Sequence, residues 1–156
     1  MFRVLVIDDE EDVLKAVRRR LEREGYEVET ADTSAEAIRL IGGGDRPFDA
    51  IVTDMSMEDP DSGLRVLQAA FSRDLLAQVI VMTAYGNVAN AVECMRYGAY
   101  DYIEKNTPGV DAYEQLSEKI GKAIEQRRRD VRAVAMWQRV ADQVRSPQAG
   151  RNANDA

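Results

Sequence analysis

Three kinds of polar side chain stand directly after short apolar runs in this sequence. Asp8 and Asp9 follow Val4-Leu5-Val6-Ile7, Asp54 follows Ala50-Ile51-Val52-Thr53, Thr83 follows Val79-Ile80-Val81-Met82, and Lys105 follows Tyr102-Ile103-Glu104. If these runs are strands of one open parallel sheet, all five residues gather beyond its carboxyl edge. Ligands bind there, at the point where strand order reverses. Three unpaired carboxylates repel one another and call for a hard cation, and oxygen-only ligands with few protein donors suit Mg2+. The Lys105 ammonium and the Thr83 hydroxyl suit the oxygens of a phosphoryl group. Each residue has a plainer reading alone. Asp8 to Asp12 would favour a helix start through the macrodipole, Asp54 would be a turn residue, Thr83 a cap, and Lys105 a solvated charge. Taken together, the plain account needs four coincidences at strand ends.

The elements that must position them alternate along the first hundred or so residues. Arg3–Ile7 reads as a buried strand, and Glu11–Glu24 carries Val13, Leu14, Val17 and Leu21 at helical spacing before Gly25 stops it. Glu27–Ala31 alternates like an edge strand. Ser34–Ile41 reads as a short helix capped by Ser34 and ended by Gly42-Gly43-Gly44. Ala50–Thr53, Gln78–Met82 and Asp101–Glu104 are further strands, with helices over Leu64–Phe71 and Asn87–Arg96. Strand–helix units in series favour an α/β fold with a parallel sheet and right-handed crossovers. The final helix, Ala112 to Val144, would span about 50 Å, more than a body of this size needs. Leu116, Ile120 and Ile124 can pack on the body, and Val131, Val134, Trp137, Val140 and Val144 continue as an apolar stripe. Ser146-Pro147 is expected to end this helix, and 147–156 reads as a disordered tail.

Composition removes several functions. There is no histidine and a single cysteine, Cys94, among 156 residues. Ser-His-Asp and Cys-His catalysis, internal disulfides and zinc fingers are therefore out of reach. Residues 1–110 carry 12 Lys/Arg against 21 Asp/Glu, and 111–156 carry 9 against 7. An acidic body does not attract nucleic acid by itself, so no direct nucleic-acid binding is expected. Arg127-Arg128-Arg129 reads as a solvated helix face, Cys94 as a small packed or half-exposed residue. No apolar run approaches about 20 residues and Met1-Phe2-Arg3 leads straight into a strand, so neither a membrane span nor a signal peptide is expected, and the expected compartment is a reducing cytoplasm.

Over roughly residues 2–124 the sequence resembles the receiver domain of two-component response regulators. The matching stretches are Val4 to Asp9, Val52-Thr53-Asp54-Met55-Ser56-Met57, Thr83-Ala84-Tyr85-Gly86 and Gly98 to Lys105. Thr83 to Lys105 is most similar to receivers attached to enhancer-binding transcription activators. The resemblance implies a flavodoxin-like, doubly wound five-stranded sheet of order 2-1-3-4-5 with an extended C-terminal helix. It implies that Asp54 accepts a phosphoryl group from a phosphohistidine on a sensor histidine kinase or phosphotransfer protein. Mg2+ would be held by Asp8, Asp9, Asp54 and the Ser56 main-chain carbonyl. Lys105 would hold a phosphoryl oxygen, Thr83 and Tyr102 would act as the switch, and Ser56 and Tyr85 would set the dephosphorylation rate. Such a domain is not a metabolic enzyme, and at most catalyses its own phosphotransfer and slow autodephosphorylation.

Two positions depart from that pattern. Glu58 stands where the family usually has proline, in a loop, Glu58-Asp59-Pro60-Asp61-Ser62-Gly63, that reads as one residue longer and more acidic. It would strengthen metal attraction or hinder kinase docking. After Lys105 the family usually has proline behind a cis bond, whereas this chain has Asn106. A cis bond before a non-proline costs about 2.5–4 kcal/mol, so the Lys105–Asn106 peptide is expected to be trans.

The expected organisation is a receiver over 1–124, a helical extension over 125–146 that serves as linker or dimerisation arm, and the 147–156 tail. A homodimer through the last helices is expected, because an isolated amphipathic extension is marginal in water. Two rival readings are a receiver-like interaction module not controlled by phosphorylation, and a phosphoryl-aspartate hydrolase. The hydrolase commonly needs a second carboxylate two residues after its nucleophile, where this chain has Ser56.

Overall fold

Period-two alternation decides which helices cover which face of the sheet. The computed structural model describes residues 1–84 and 86–151. Its strands are β1 (Arg3–Ile7), β2 (Glu27–Ala31), β3 (Ala50–Asp54), β4 (Val79–Ala84) and β5 (Asp101–Lys105). The helices between and after them are α1 (Glu11–Arg23), α2 (Ser34–Gly42), α3 (Ser62–Arg73), α4 (Val88–Arg96) and α5 (Ala112–Arg151). On one face, Leu5, Ile7, Ile51, Val79 and Val81 pack with Ala37 and Ile41 of α2, Val66 and Leu67 of α3 and Cys94 of α4. On the other, Val4, Val6, Val52, Ile80 and Met82 pack with Val17 and Leu21 of α1 and with Leu116 and Ile120 of α5. Each fully buried aliphatic side chain contributes about 1.5–3 kcal/mol. With both faces covered, the central strands read as unbroken apolar runs.

The strand order is β2-β1-β3-β4-β5, all parallel. This is the flavodoxin-like, doubly wound arrangement, and its order reverses between β1 and β3, so the ends of those two strands flank the natural ligand crevice. In β3–β4 pairing Asp54 lies opposite Met82, and in β4–β5 pairing Ala84 lies opposite Lys105. These registers bring residues from distant parts of the chain to one edge. Gly63 allows α3 to start close to the end of β3. A Cβ on it would sit 2.9 Å from the Met55 Cα and 3.0 Å from the Asp54 carbonyl oxygen, so no larger residue fits.

Two local expectations need correction. Ser34 is not the cap of α2. Thr33 is, its hydroxyl accepting the Glu36 N–H at 3.1 Å, while Ser34 is a buried residue of the first turn. The threonine hydroxyl satisfies an amide that the helix itself leaves free. Nor does Ser146-Pro147 end α5, whose backbone stays helical to Arg151. Proline removes one N–H and crowds the preceding turn, yet the helix passes through it. The helix thus extends over 147–151 of the tail expected to be disordered, and residues 152–156 lie outside the described residues.

At 40 residues, α5 is about 60 Å long. Leu116, Ile120, Ala123 and Ile124 are buried against the body, while Val134, Trp137, Val140 and Val144 are exposed. Along the middle of α5, Arg127 reaches Asp74 at 2.9 Å and Asp49 at 3.5 Å, Arg128 lies over the Phe2 ring at 5.6 Å, and Asp130 stands 3.5 Å from Gln78. Arg127 is thus an anchor, not part of the solvated face expected of its arginine run. Among the described residues no helix is long and apolar enough to cross a membrane.

Candidate functional site

The carboxyl ends of β1, β3, β4 and β5 converge on a cluster with more anions than cations. Asp8, just past β1, is fully buried. Its Oδ1 accepts the Glu10 N–H at 2.9 Å and its Oδ2 accepts from Lys105 Nζ at 2.5 Å. The same ammonium donates to Asp54 Oδ2 at 3.2 Å and lies 3.8 Å from Glu10 Oε1. One lysine, itself only 15% exposed, thus serves two buried aspartates.

The electrostatics follow from that imbalance. Burial pushes the Asp54 carboxyl above the usual aspartate range, and the charges of Asp8 and Asp9 push the same way against the pull of Lys105. Burial would lower Lys105, but its hydrogen bond to Asp8 and the charge of Asp54 outweigh that and raise it, so it stays charged. A cleft of about 290 Å³ opens above the cluster, with Asp9, Asp54, Ser56, Ala84 and Lys105 among its lining. Small Ala84 leaves the path to Asp54 open.

Thr83 is fully buried, and its hydroxyl has no hydrogen-bond partner, the only such buried side-chain oxygen or nitrogen among the described residues. Leaving a buried hydroxyl unsatisfied costs about 1–3 kcal/mol. It stands one residue past Met82, the partner of Asp54 in the strand register, so a polar atom arriving at this edge has a donor waiting.

Three carboxylates, Asp8, Asp9 and Glu10, bring oxygens within 4.8 Å of one another. Hard oxygen donors of this kind fit a small divalent cation. Glu10 belongs to this cluster although the sequence marked only its neighbours. Its membership arises from the chain turning between β1 and α1, which spacing does not report. Asp54 stands apart from that trio, held by Lys105.

Residues 4–117 match the response regulator receiver domain family. The chain belongs to that family. It is 34% identical over 122 residues to the acid tolerance regulatory protein ActR of Rhizobium meliloti, covering 78% of this chain and 61% of ActR. It is 33% identical over 103 residues to a putative NtrX-like response regulator of Rickettsia bellii, covering 65% of this chain and 21% of that protein. The Escherichia coli regulatory protein AtoC is another relative, so NtrX- and AtoC-type enhancer-binding activators are among the proteins that this chain resembles. The crystal structure of a receiver domain protein from Clostridium thermocellum superposes with a TM-score of 0.73 at 32% identity, covering 82% of this chain and 98% of the other. The chain spans about three fifths of ActR and one fifth of the NtrX-like relative. A receiver domain of two-component signalling is not a classical enzyme.

The two departures of this receiver take definite form. Among the described residues no peptide bond is cis, so Lys105–Asn106 is trans as expected. Asn106 adopts φ +60°, a left-handed conformation that asparagine tolerates and that proline, locked near −65°, does not reach. Lys105 nonetheless arrives at the cluster. Glu58 turns away from it, with Oε1 accepting the Ser34 N–H at 2.5 Å and Oε2 accepting from the Ser62 hydroxyl at 2.6 Å. Burial alone would raise its carboxyl, but these hydrogen bonds bring it down to about 2. Its charge is engaged by α2 and α3, not by the acidic cluster.

The remaining expected site residues fall outside the cluster itself. Tyr102 is half-buried on β5 beneath Lys119, whose ammonium lies 6.0 Å from the ring centroid and donates to the Tyr102 carbonyl at 3.2 Å. Ser56 is exposed at the rim. The role expected of Tyr85 lies outside the described residues.

Proposed function

We propose that this receiver is a phosphoacceptor switch. An Asp54 carboxylate oxygen attacks the phosphorus of a phosphohistidine on a partner histidine kinase or phosphotransfer protein. The P–N bond breaks with its electron pair going to the imidazole nitrogen, and an aspartyl phosphate forms. The observation that carries this reading is the pairing of an unpartnered, fully buried Thr83 hydroxyl with a buried anionic cluster that one lysine leaves under-neutralised. Phosphoryl transfer needs mainly positioning and charge neutralisation. Lys105 supplies one fixed positive charge beside Asp54, and Thr83 a donor for a phosphoryl oxygen.

Asp8, Asp9, Asp54 and the Ser56 main-chain carbonyl would hold Mg2+, with Glu10 close by. Bound there, the cation supplies neutralisation of carboxylate and phosphoryl oxygens. The new group brings roughly −1.5 to −2 charges, enough to bias a two-state element. Drawing Thr83 toward it frees space along β4 and β5, and Tyr102 is the aromatic residue placed to respond. Ser56 and Tyr85 would then tune hydrolysis of the aspartyl phosphate. The switch works in the cytoplasm. The exposed stripe of α5, with Val134, Trp137 and Val144, forms a homodimer contact in this reading, and sedimentation of a monomer in both phosphorylation states would remove it.

The test is incubation with Mg2+ and a small acyl phosphate, read by intact mass. Wild type gains one phosphoryl group and Asp54→Asn gains none. A folded wild type that stays unmodified would leave an interaction module independent of phosphorylation.

A further inference from the structure

The loop after Asp54 is anchored at both ends, and Glu58 makes the second anchor. On the strand side, the Met55 N–H donates to the Met82 carbonyl and the Gly63 N–H donates to the Met55 carbonyl, each at 2.9 Å. On the far side, Glu58 accepts the Ser34 N–H with one oxygen and the Ser62 hydroxyl with the other. Arg65 adds a second tie, gripping both oxygens of Asp59 at 3.0 and 2.7 Å and reaching the Ser34 hydroxyl at 3.4 Å. Between the anchors lie only Ser56 and Met57.

We propose that Glu58 is a positioning residue: by fastening this loop to the first turn of α2 it sets the direction of the Ser56 main-chain carbonyl as a metal ligand. This rests on the Mg2+ reading above. A side-chain ligand can change rotamer to meet a cation, whereas a carbonyl goes only where its backbone goes. With Met55 pinned to β4 and Glu58 pinned to α2, the peptide between them has little freedom. Both Glu58 oxygens are engaged away from the cluster, so the residue acts through hydrogen bonds and not as a further negative charge for the metal. Groups that orient metal ligands typically change affinity about 10–100-fold when removed, and one backbone ligand among several places this case at the lower end.

The experiment compares wild type, Glu58→Ala and Glu58→Gln by Mg2+ titration in a calorimeter, by amide hydrogen exchange of the metal-free proteins, and by phosphoryl uptake as a function of Mg2+. Glu58→Ala is expected to speed exchange at Ser34 and through 55–62. It should weaken Mg2+ roughly tenfold, yet reach the wild-type uptake rate at saturating Mg2+. Glu58→Gln keeps a carbonyl acceptor for the Ser34 N–H and should restore most of the affinity. Ser62→Ala, which removes one bond of the clamp, must move affinity in the same direction as Glu58→Ala, and serves if the latter does not fold. Unchanged Mg2+ affinity in Glu58→Ala overturns the proposal. So does a Glu58→Gln protein as weak as Glu58→Ala, because charge rather than the clamp would then be at work. A wild type that binds no Mg2+ sinks the metal reading underneath, whereas a wild type that binds it with no difference among variants sinks only this inference.

Discussion

The two edges of the sheet handle charge in opposite ways. At the amino edge ionic groups pair off. Arg127 bridges Asp74 and Asp49, and Arg3 meets Glu29 at 2.8 Å and lies over the Phe48 ring at 4.5 Å. At the carboxyl edge, among the described residues, Lys105 alone faces Asp8, Asp54 and Glu10, with Asp9 beside them and a buried hydroxyl left without a partner. A closed network holds α5 to the body. An open one has unused bonding capacity, which a ligand can fill. Excess charge at one edge, in a fold that satisfies its polar groups at the other, therefore reads as function rather than as loose packing.

The comparison can be broken by urea unfolding of variants at each edge, with and without Mg2+. Lys105→Met should have the largest effect, a loss of about 3 kcal/mol without metal, because it strands the fully buried Asp8; Mg2+ should recover much of it. Failure of Mg2+ to do so would mean that the carboxyl edge is no more open than its opposite. Arg127→Met should cost about 2 kcal/mol, and that loss should be the same with and without Mg2+. Asp54→Asn should act in the other direction and stabilise the metal-free protein at pH 7 by about 1 kcal/mol.

The sign of that third effect follows from linkage. A carboxyl raised in the folded state contributes stability that is complete below its ordinary value of 3.8 and is lost as pH rises through its folded value. The advantage of Asp54→Asn should therefore shrink as pH falls toward 3.8, and a gap that widens instead would contradict the assignment. Thr83→Val should have the smallest effect, a gain of at most about 1 kcal/mol from removing an unsatisfied hydroxyl. A clear loss would show that the hydroxyl has a partner in solution.

Much of this architecture could be read from the sequence because it is local. Apolar runs of strand length, helical spacing between them and the polar residue closing each run located β1, β3, β4 and β5 and placed Asp8, Asp54, Thr83 and Lys105 at one edge. The order of the strands came from family resemblance, since spacing alone leaves it open. What stayed hidden depends on partners far along the chain. Glu58 finds Ser34 24 positions away and Arg127 finds Asp74 53 positions away, and no pattern in either segment announces the other. The helical path through Pro147 was also missed, because a local breaker was weighed without the long helix that leads into it.

The length of α5 gives small movements of the body a large reach. Beyond Arg127 its backbone runs on to Arg151, about 36 Å at helical rise. Tilting the foot of such a rod by about 10° would sweep its far end through about 6 Å, if the rod follows its anchorage. Sub-ångström shifts at β4 and β5, which pack against this helix, would then be magnified geometrically into displacements large enough for another protein to sense.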